Sequence, residues 1–342
     1  MLEGEAAVLT ATLSAPSSFT ITVEFASTDD TAVSGDDYEP ISGTLMFAPG
    51  QTNHPLTVTA LLDGLDEPQE TFSVTLANPS YATLGTAEAS VTILYVDGPP
   101  ALSVEDVTTA EGDTTSKVVS LTIHLLPASG QVVAVDYVTG GGTAVVGLDY
   151  EPISGTLTFA PGETSQIITV TVLGNALYEL DKTVGISLSN PANAELGKGT
   201  AVLTIANDDA APTVAVEPEW SVVEGDAGLT AVVVTVTLSA PSGLSHTVDF
   251  ATADGSAVAG VDYQAAGGTL FFAAGQTTQT ITLFVGGNTT HEADKQFGLV
   301  LIPTAPLLAG NLTATITIVN DDEVVVPPPP IPTIYLPLVV RP

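Results

Sequence analysis

Apolar and polar residues alternate one by one along nearly the whole chain. In its middle third Leu121, Ile123 and Leu125 alternate with Thr122 and His124, and Val133, Val135 and Tyr137 follow. Leu157 and Phe159 come next, then the run Ile167–Val172, the set Val184, Ile186 and Leu188, and Val202–Ile205. A period of two sends successive side chains to opposite faces, and Thr and β-branched residues suit a pleated, half-buried surface. Each run therefore predicts a short strand; helical periodicity is nearly absent. Pro161-Gly162 falls between two runs and predicts a type II turn, because proline presets φ at the first corner and glycine accepts positive φ at the second. Roughly seven short strands in about 110 residues predict an antiparallel β-sandwich.

The pattern is written three times. The segments GDDYEPISGTLMFAPGQ, GLDYEPISGTLTFAPGE and GVDYQAAGGTLFFAAGQ are centred on Tyr38, Tyr150 and Tyr263, and a Glu-Gly pair precedes each at Glu3, Glu111 and Glu224. Asn-Asp-Asp closes the second and third copies at Asn207–Asp209 and Asn320–Asp322. A period of about 110 residues is too long for a solenoid unit and fits a string of complete domains. The predicted domains are 1–98, 99–210 and 211–323, with a tail over 324–342. The linkers Asp97-Gly98-Pro99-Pro100 and Asp208–Pro212 are so short that the domains are expected end to end, as a semi-rigid rod. Strands are predicted ahead of the Glu-Gly pair at Ala101–Glu105 and Thr213–Val216, and the first copy has none. That reads as a fragment of a longer array or a misplaced start, so the missing signal peptide says little about localisation. The tail carries Pro327–Pro330, a polyproline spacer, and then IPTIYLPLVVRP. It reads either as a disordered or edge-paired end or as a sorting signal, resembling short tails of exported bacterial proteins.

Charge narrows the function. The chain has 342 residues and a net charge of −34, from 39 Asp+Glu against 5 Lys+Arg. Most carboxylates can have no basic partner, so they are hydrated, as in a salt-adapted surface, or matched by metal cations. Nucleic acid is excluded as a partner and anionic membranes are disfavoured, since both need clustered Lys and Arg. No apolar run approaches the roughly 20 residues that span a bilayer. Without cysteine there are no disulfides and no thiolate metal sites.

No constellation of an enzyme is present. The histidines, His54, His124, His246 and His291, fall at unrelated places in the repeat and read as surface residues; Gly140–Gly142 reads as a loop between strands. The acids behave otherwise. The second repeat places Glu111, Asp149, Glu179, Asp181, Asp208 and Asp209 in predicted loops, and the third places Glu224, Asp262, Glu292, Asp294, Asp321 and Asp322 at matching offsets. Calcium takes six to eight oxygen ligands from loops that curl around it. Loops an even number of strands apart share one end of such a sandwich, so these acids can gather at one pole. The alternative is that they keep the loops solvated.

The string from Glu111-Gly112-Asp113 through Gly142-Thr143-Ala144, Leu148-Asp149-Tyr150 and Gly155–Gly162 to Thr204–Asp209 resembles a Calx-beta domain. The resemblance implies immunoglobulin-like calcium-binding sandwiches, found in sodium–calcium exchangers and an integrin subunit and in tandem in bacterial surface proteins. It implies calcium at the pole facing the next domain. The implied ligands are the early Glu, the Asp before Tyr, an acidic stretch ahead of the sixth strand and the terminal Asp cluster. In the first repeat these are Glu3, Asp37 and the stretch Asp63, Glu67, Glu70, but the terminal cluster has become Leu94-Tyr95-Val96-Asp97. Asp97 is therefore expected to contribute little. Gly174-Asn175 and Gly287-Asn288 replace acids in the later repeats, and Lys182 and Lys295 stand where the first has Glu70. An ammonium there can neutralise the acids without metal.

The expectation is an all-β, non-enzymatic, monomeric rod of tandem immunoglobulin-like antiparallel β-sandwich domains. It would be a calcium-binding structural or adhesive module of an extracellular or cell-surface protein, with Ca2+ at inter-domain poles stiffening the array. The rivals are a calcium-independent spacer and an adhesin stalk that binds surface proteins or glycans.

Overall fold

The computed structural model describes residues 1–324, 326–334, 338 and 340. Among them every regular element is a strand. The first repeat contains β1 (Ala6–Thr12), β2 (Ile21–Asp29), β3 (Ser42–Phe47), β4 (Asn53–Thr59), β5 (Glu70–Ser80) and β6 (Glu88–Ile93). They form a four-stranded sheet in the order β3-β2-β5-β6 and a two-stranded sheet β1-β4.

The second repeat runs through β7 (Ala101–Val104), β8 (Val107–Ala110), β9 (Lys117–Leu126), β10 (Val133–Gly142), β11 (Ser154–Phe159), β12 (Ser165–Val172), β13 (Lys182–Ala192), β14 (Glu195–Lys198) and β15 (Thr200–Ala206). Its sheets are β11-β10-β13-β15-β8 and β12-β9-β7-β14. The third repeats this order with β16 (Thr213–Val216), β17 (Glu219–Val223), β18 (Gly228–Leu238), β19 (His246–Asp254), β20 (Gly267–Phe272), β21 (Thr278–Gly287), β22 (Lys295–Pro303), β23 (Leu308–Ala309) and β24 (Thr313–Val319). Its sheets are β17-β24-β22-β19-β20 and β21-β18-β16-β23.

By compactness the chain divides into two units. One holds Met1–Glu111, Thr115–Gly174 and Asp181–Ala206; the other holds Gly112–Thr114, Asn175–Leu180 and Asn207–Pro342.

Each repeat has its own buried cluster. Tyr38, Tyr150 and Tyr263 are buried in the three of them. Tyr38 stacks on Phe72 and Tyr263 on Phe297, with ring centroids 3.9 and 4.0 Å apart. Their hydroxyls donate to Asp29 and Asp254 at 2.6 Å. In the second repeat the matching places are Val184 and Gly141, so Tyr150 lacks both partners. Gly162, the corner of the predicted turn, has a φ of 80°, and its counterparts Gly50 and Gly275 have 85 and 79°.

Several expectations are corrected. The sheets are not wholly antiparallel: β7–β14, β8–β15, β16–β23 and β17–β24 pair in parallel. The strands predicted ahead of the Glu-Gly pair at Ala101–Glu105 and Thr213–Val216 are present as β7 and β16, but each is followed by a second, unforeseen strand, β8 or β17, which joins the opposite sheet. Gly140–Gly142 is not a loop but the end of β10, where the register with β13 shifts. A Cβ on Gly142 would lie 2.1 Å from the Thr183 carbonyl oxygen, so only glycine fits there. His246 is buried rather than on the surface, opposite Phe272, and burial lowers its pKa. The sorting signal expected in the tail falls partly on Tyr335–Pro337, Val339, Arg341 and Pro342, which lie outside the described residues.

Candidate metal centre

The topology brings the acid-bearing segments of a repeat to one end. In the second repeat β8 runs parallel to β15 with Ala110 opposite Ala206, so Glu111 and Asn207–Asp209 leave the sheet side by side. The first repeat keeps this through a parallel bridge between Leu2 and Leu94, which places Glu3 beside the segment ending at Asp97. The third does so with Val223 opposite Val319. Gly112 N–H donates to Asp208 Oδ1 at 3.1 Å and Gly225 N–H to Asp321 Oδ1 at 3.2 Å.

The Asp before each Tyr closes its own turn. Asp37 Oδ2 accepts the Val33 N–H at 2.6 Å, Asp149 Oδ2 the Val145 N–H at 2.6 Å, and Asp262 Oδ2 the Val258 N–H at 2.8 Å. One oxygen is thus spent on the backbone and the other turns to the residue that opens the next acidic strand. That residue differs between repeats.

In the first repeat it is Glu70. Carboxylate oxygens of Asp37, Glu67 and Glu70 lie within 4.8 Å of one another. The Glu70 carboxyl is pushed up to about 7 by burial, then by a hydrogen bond shared with Asp37 and the charges of Asp37, Glu67 and Glu3. The Glu67 carboxyl is also pushed up to about 7, by burial first and then by Asp63, Asp37, Glu3 and Asp36. Glu3 is raised by burial and by Asp63, Asp97 and Asp37. Buried oxygens of Glu3 and Asp97 have no hydrogen-bond partner. No Lys or Arg precedes Lys117 in the chain, so this repeat contains no basic side chain of either kind. A set of crowded carboxylates, two with orphaned buried oxygens, fits a hard divalent cation.

In the second and third repeats a lysine meets the Asp before the Tyr. Lys182 Nζ donates to Asp149 Oδ1 at 2.7 Å. Lys295 Nζ donates to Asp262 Oδ1 at 2.7 Å and lies 2.6 Å from Glu292 Oε2. Those two carboxylates, Asp262 first, raise the Lys295 pKa. Buried Glu224 accepts Asn288 Nδ2 at Oε2 and Asn320 Nδ2 at Oε1, both at 2.9 Å. Asp294 accepts the Asn320 N–H, and Glu179 donates its N–H to Asn207 Oδ1. Glu111 and Asp149 are buried, whereas Asp181, Asp208 and Asp321 are exposed and Asp209 and Asp322 half-buried.

The acidic stretch of the first repeat also grips the second. Asp66 N–H donates to Ala128 O, and Gly130 N–H and Ser129 Oγ donate to Asp66 O. A Cβ on Gly130 would lie 2.4 Å from Glu67 Oε1. The arrangement recurs one repeat later, where Gly243 N–H and Ser242 Oγ donate to Tyr178 O and Gly243 is pressed by Glu179.

Asp97, expected to contribute little, has a buried Oδ2 without a hydrogen-bond partner. The Asn-Asp-Asp word is absent there, but Asp97 occupies its last position, level with Asp209 and Asp322 once Leu94 is aligned with Ala206. That alignment was the available signal. Asp63, by contrast, is exposed and accepts the Leu65 N–H.

Comparison with known proteins agrees with the three-fold pattern. The Calx-beta domain family matches residues 3–97, 96–209 and 207–322. Sodium/calcium exchanger 1 of Canis lupus familiaris is 30% identical over 204 residues, covering 54% of this chain and 21% of the exchanger. Extracellular matrix organizing protein FRAS1 of Mus musculus is 28% identical over 332 residues, covering 90% of this chain and 8% of that protein. Adhesion G-protein coupled receptor V1 of Danio rerio is 30% identical over 204 residues, or 57% of this chain and 3% of the receptor. The chain thus spans about a fifth or less of these relatives. Among solved structures, the crystal structure of CBD12 from CALX1.2 covers 64% of this chain and 99% of its own, with 21% identity and a TM-score of 0.32.

Proposed function

The chain belongs to the Calx-beta family, and from that premise we propose that its first repeat binds calcium while in its second and third a lysine offsets part of the acid charge. The observation that supports this most is the cluster of Asp37, Glu67 and Glu70 in a repeat without Lys or Arg. Glu3, Asp37, Asp63, Glu67, Glu70 and Asp97 would hold the ion. Bound there, calcium supplies the positive charge that the repeat lacks.

Glu67 belongs to this cluster and presses on Gly130, so ordering its carboxylate reduces the freedom of the hinge between the first two repeats. The module is a structural or adhesive part of an extracellular or cell-surface protein. Relatives named as an extracellular matrix organizing protein and an adhesion receptor support that placement.

Calorimetric titration with calcium and thermal unfolding in calcium, equal magnesium and chelator test the proposal. Binding to the folded state alone raises the midpoint. Magnesium is the control because it demands tighter octahedral geometry and dehydrates reluctantly. Equal midpoints in all three media would sink the calcium reading and leave the calcium-independent spacer. Lys182 on Asp149, and Lys295 on Asp262 and Glu292, favour that second reading for the later repeats.

A further inference from the structure

Beside the acid cluster, the first two repeats meet around an open cleft of about 780 Å3. Its walls come from the stretch ahead of β5, from Leu94-Tyr95 after β6, and from the turn between β13 and β14. Backbone bonds fix this frame. The Asp66 N–H donates to Ala128 O at 3.2 Å, and Asp66 O accepts the Gly130 N–H at 3.0 Å. Glu195 N–H donates to Pro100 O at 2.8 Å, where β14 begins its parallel pairing with β7. Asn193, with a φ of 58°, ties its turn to Val132 O through the side-chain amide at 2.9 Å. A cleft framed in this way is formed before a ligand arrives, which lowers the cost of binding.

The lining is acidic and carries no base. Asp66, Glu67 and Glu195 bring three carboxylates, Gln69 and Gln131 bring amides, Tyr95 brings a phenol ring, and no Lys or Arg is among the described lining residues. Lys182 and Lys198 of the second repeat are engaged elsewhere, with Asp149 and Asp106. Asp66 is the most informative of these groups. It is only 8% exposed, yet its carboxylate accepts no hydrogen bond among the described residues. A carboxylate so enclosed costs free energy until a donor or a cation reaches it. The side-chain amides of Gln69 and Gln131 are likewise unengaged among the described residues, and Tyr95 is 46% exposed.

Charge decides the class of ligand. An anion is repelled, and a neutral ligand would cover the carboxylates without answering their charge. Asp66, Glu67 and Glu195 do not converge within 4.8 Å of one another as metal ligands would, so the negative charge is spread more widely than one ion can reach. An ammonium is a compact, strongly hydrated point charge, whereas a guanidinium spreads its charge over a planar fork of N–H donors and stacks on aromatic faces. We propose that this cleft is a guanidinium site, which takes an arginine side chain of a polypeptide, its N–H groups shared among the carboxylates and amide oxygens of the walls and its flat face on Tyr95. The cleft has room for the chain that carries the arginine, and a free amino acid would bring a carboxylate of its own into an acidic site. This goes beyond the calcium reading; Glu67 alone among these residues belongs also to the cluster with Asp37 and Glu70.

The test titrates the full chain, isotopically labelled, in chelator, so that the outcome does not depend on calcium. Salt at about 0.15 M screens diffuse attraction between exposed charges. The probes are Nα-acetyl-arginine amide, the matching citrulline compound with a urea in place of the guanidinium, the matching lysine compound, and free arginine. The arginine amide is expected to shift the backbone amides of Gln69, Tyr95, Gln131 and Glu195 to saturation. The citrulline probe is expected to bind at least tenfold more weakly, and the lysine probe and free arginine severalfold more weakly. Asp66→Asn, which keeps the main-chain bonds of that residue, and Glu195→Gln, at an exposed position, are each expected to weaken the arginine amide at least threefold while amide positions away from the cleft stay unchanged. No shift at those four residues, equal binding of the citrulline or lysine probe, shifts spread evenly over the acidic surface, or full affinity in both variants would overturn the proposal. Tighter binding of free arginine would overturn the placement of that arginine within a chain.

Discussion

Glu70, Lys182 and Lys295 occupy one register position, each opening its strand opposite an isoleucine, Ile93, Ile205 or Ile318. The local fold is the same and the sign of the charge is reversed. Glu70→Lys is expected to abolish calcium binding and to raise the unfolding midpoint of the metal-free chain; titration calorimetry and melting in chelator check both. Lys182→Glu with Lys295→Glu is expected to raise calcium affinity and to lower the metal-free midpoint through like-charge repulsion. Unchanged affinity and melt would make both lysines bystanders. The carboxyls of Glu67 and Glu70 give a pH dependence of definite sign. Both stand near 7 in the folded chain, above the ordinary 4.5. The folded state therefore holds more protons between those values, and stability falls as pH rises. The metal-free midpoint of the first repeat is expected to be highest near pH 4.5 and to decline through pH 7, while calcium affinity rises over the same range. Glu67→Gln should flatten the decline in a series of melts from pH 4 to 8.

At the scale of elements, the loop before β5 joins two tasks, since Asp66 anchors it to the second repeat and Glu67 faces the acid cluster. Gly130→Ala is expected to displace the Glu67 carboxylate, weakening calcium binding severalfold. Stability should change little, because the atoms that must yield all belong to the Glu67 side chain and none to the backbone. Phe72→Ala removes the ring stacked on Tyr38 in a closed core and is expected to cost about 3–5 kcal/mol in denaturant unfolding. Period-two patterning made most of the longer strands legible, and Pro161-Gly162 made the turn after β11 legible. Short edge strands were not: β14 reads Glu-Leu-Gly-Lys and is exposed throughout, so no alternation marks it. The break between β7 and β8 was hidden because the chain crosses between sheets, a tertiary event without local signature. The acids at Glu3, Asp37 and Glu67 recur in every repeat, whereas Glu70 does not, its place being taken by Lys182 and Lys295. The amide donors that occupy both oxygens of Glu224 were not legible, because Asn288 and Asn320 lie far apart in sequence.

For the whole molecule, three separate cores in repeats of ordinary domain size predict more than one unfolding transition. Scanning calorimetry with and without calcium is expected to move one transition and leave the others in place. Three equal shifts would mean that lysine and metal coexist at every pole. The stretch from 61 to 69 contains no strand; backbone bonds hold it at Leu61 and Asp66, and elsewhere it rests on the side chains around it. When calcium is withdrawn those side chains repel one another, so this segment should open more often than the rest of the sandwich. An opened segment is what a protease cuts, and the rate of cutting follows the population of open chains. The calcium level of the surroundings would then set how long the polypeptide survives, with the first scission falling between the first repeat's two sheets while the lysine-bearing repeats remain intact.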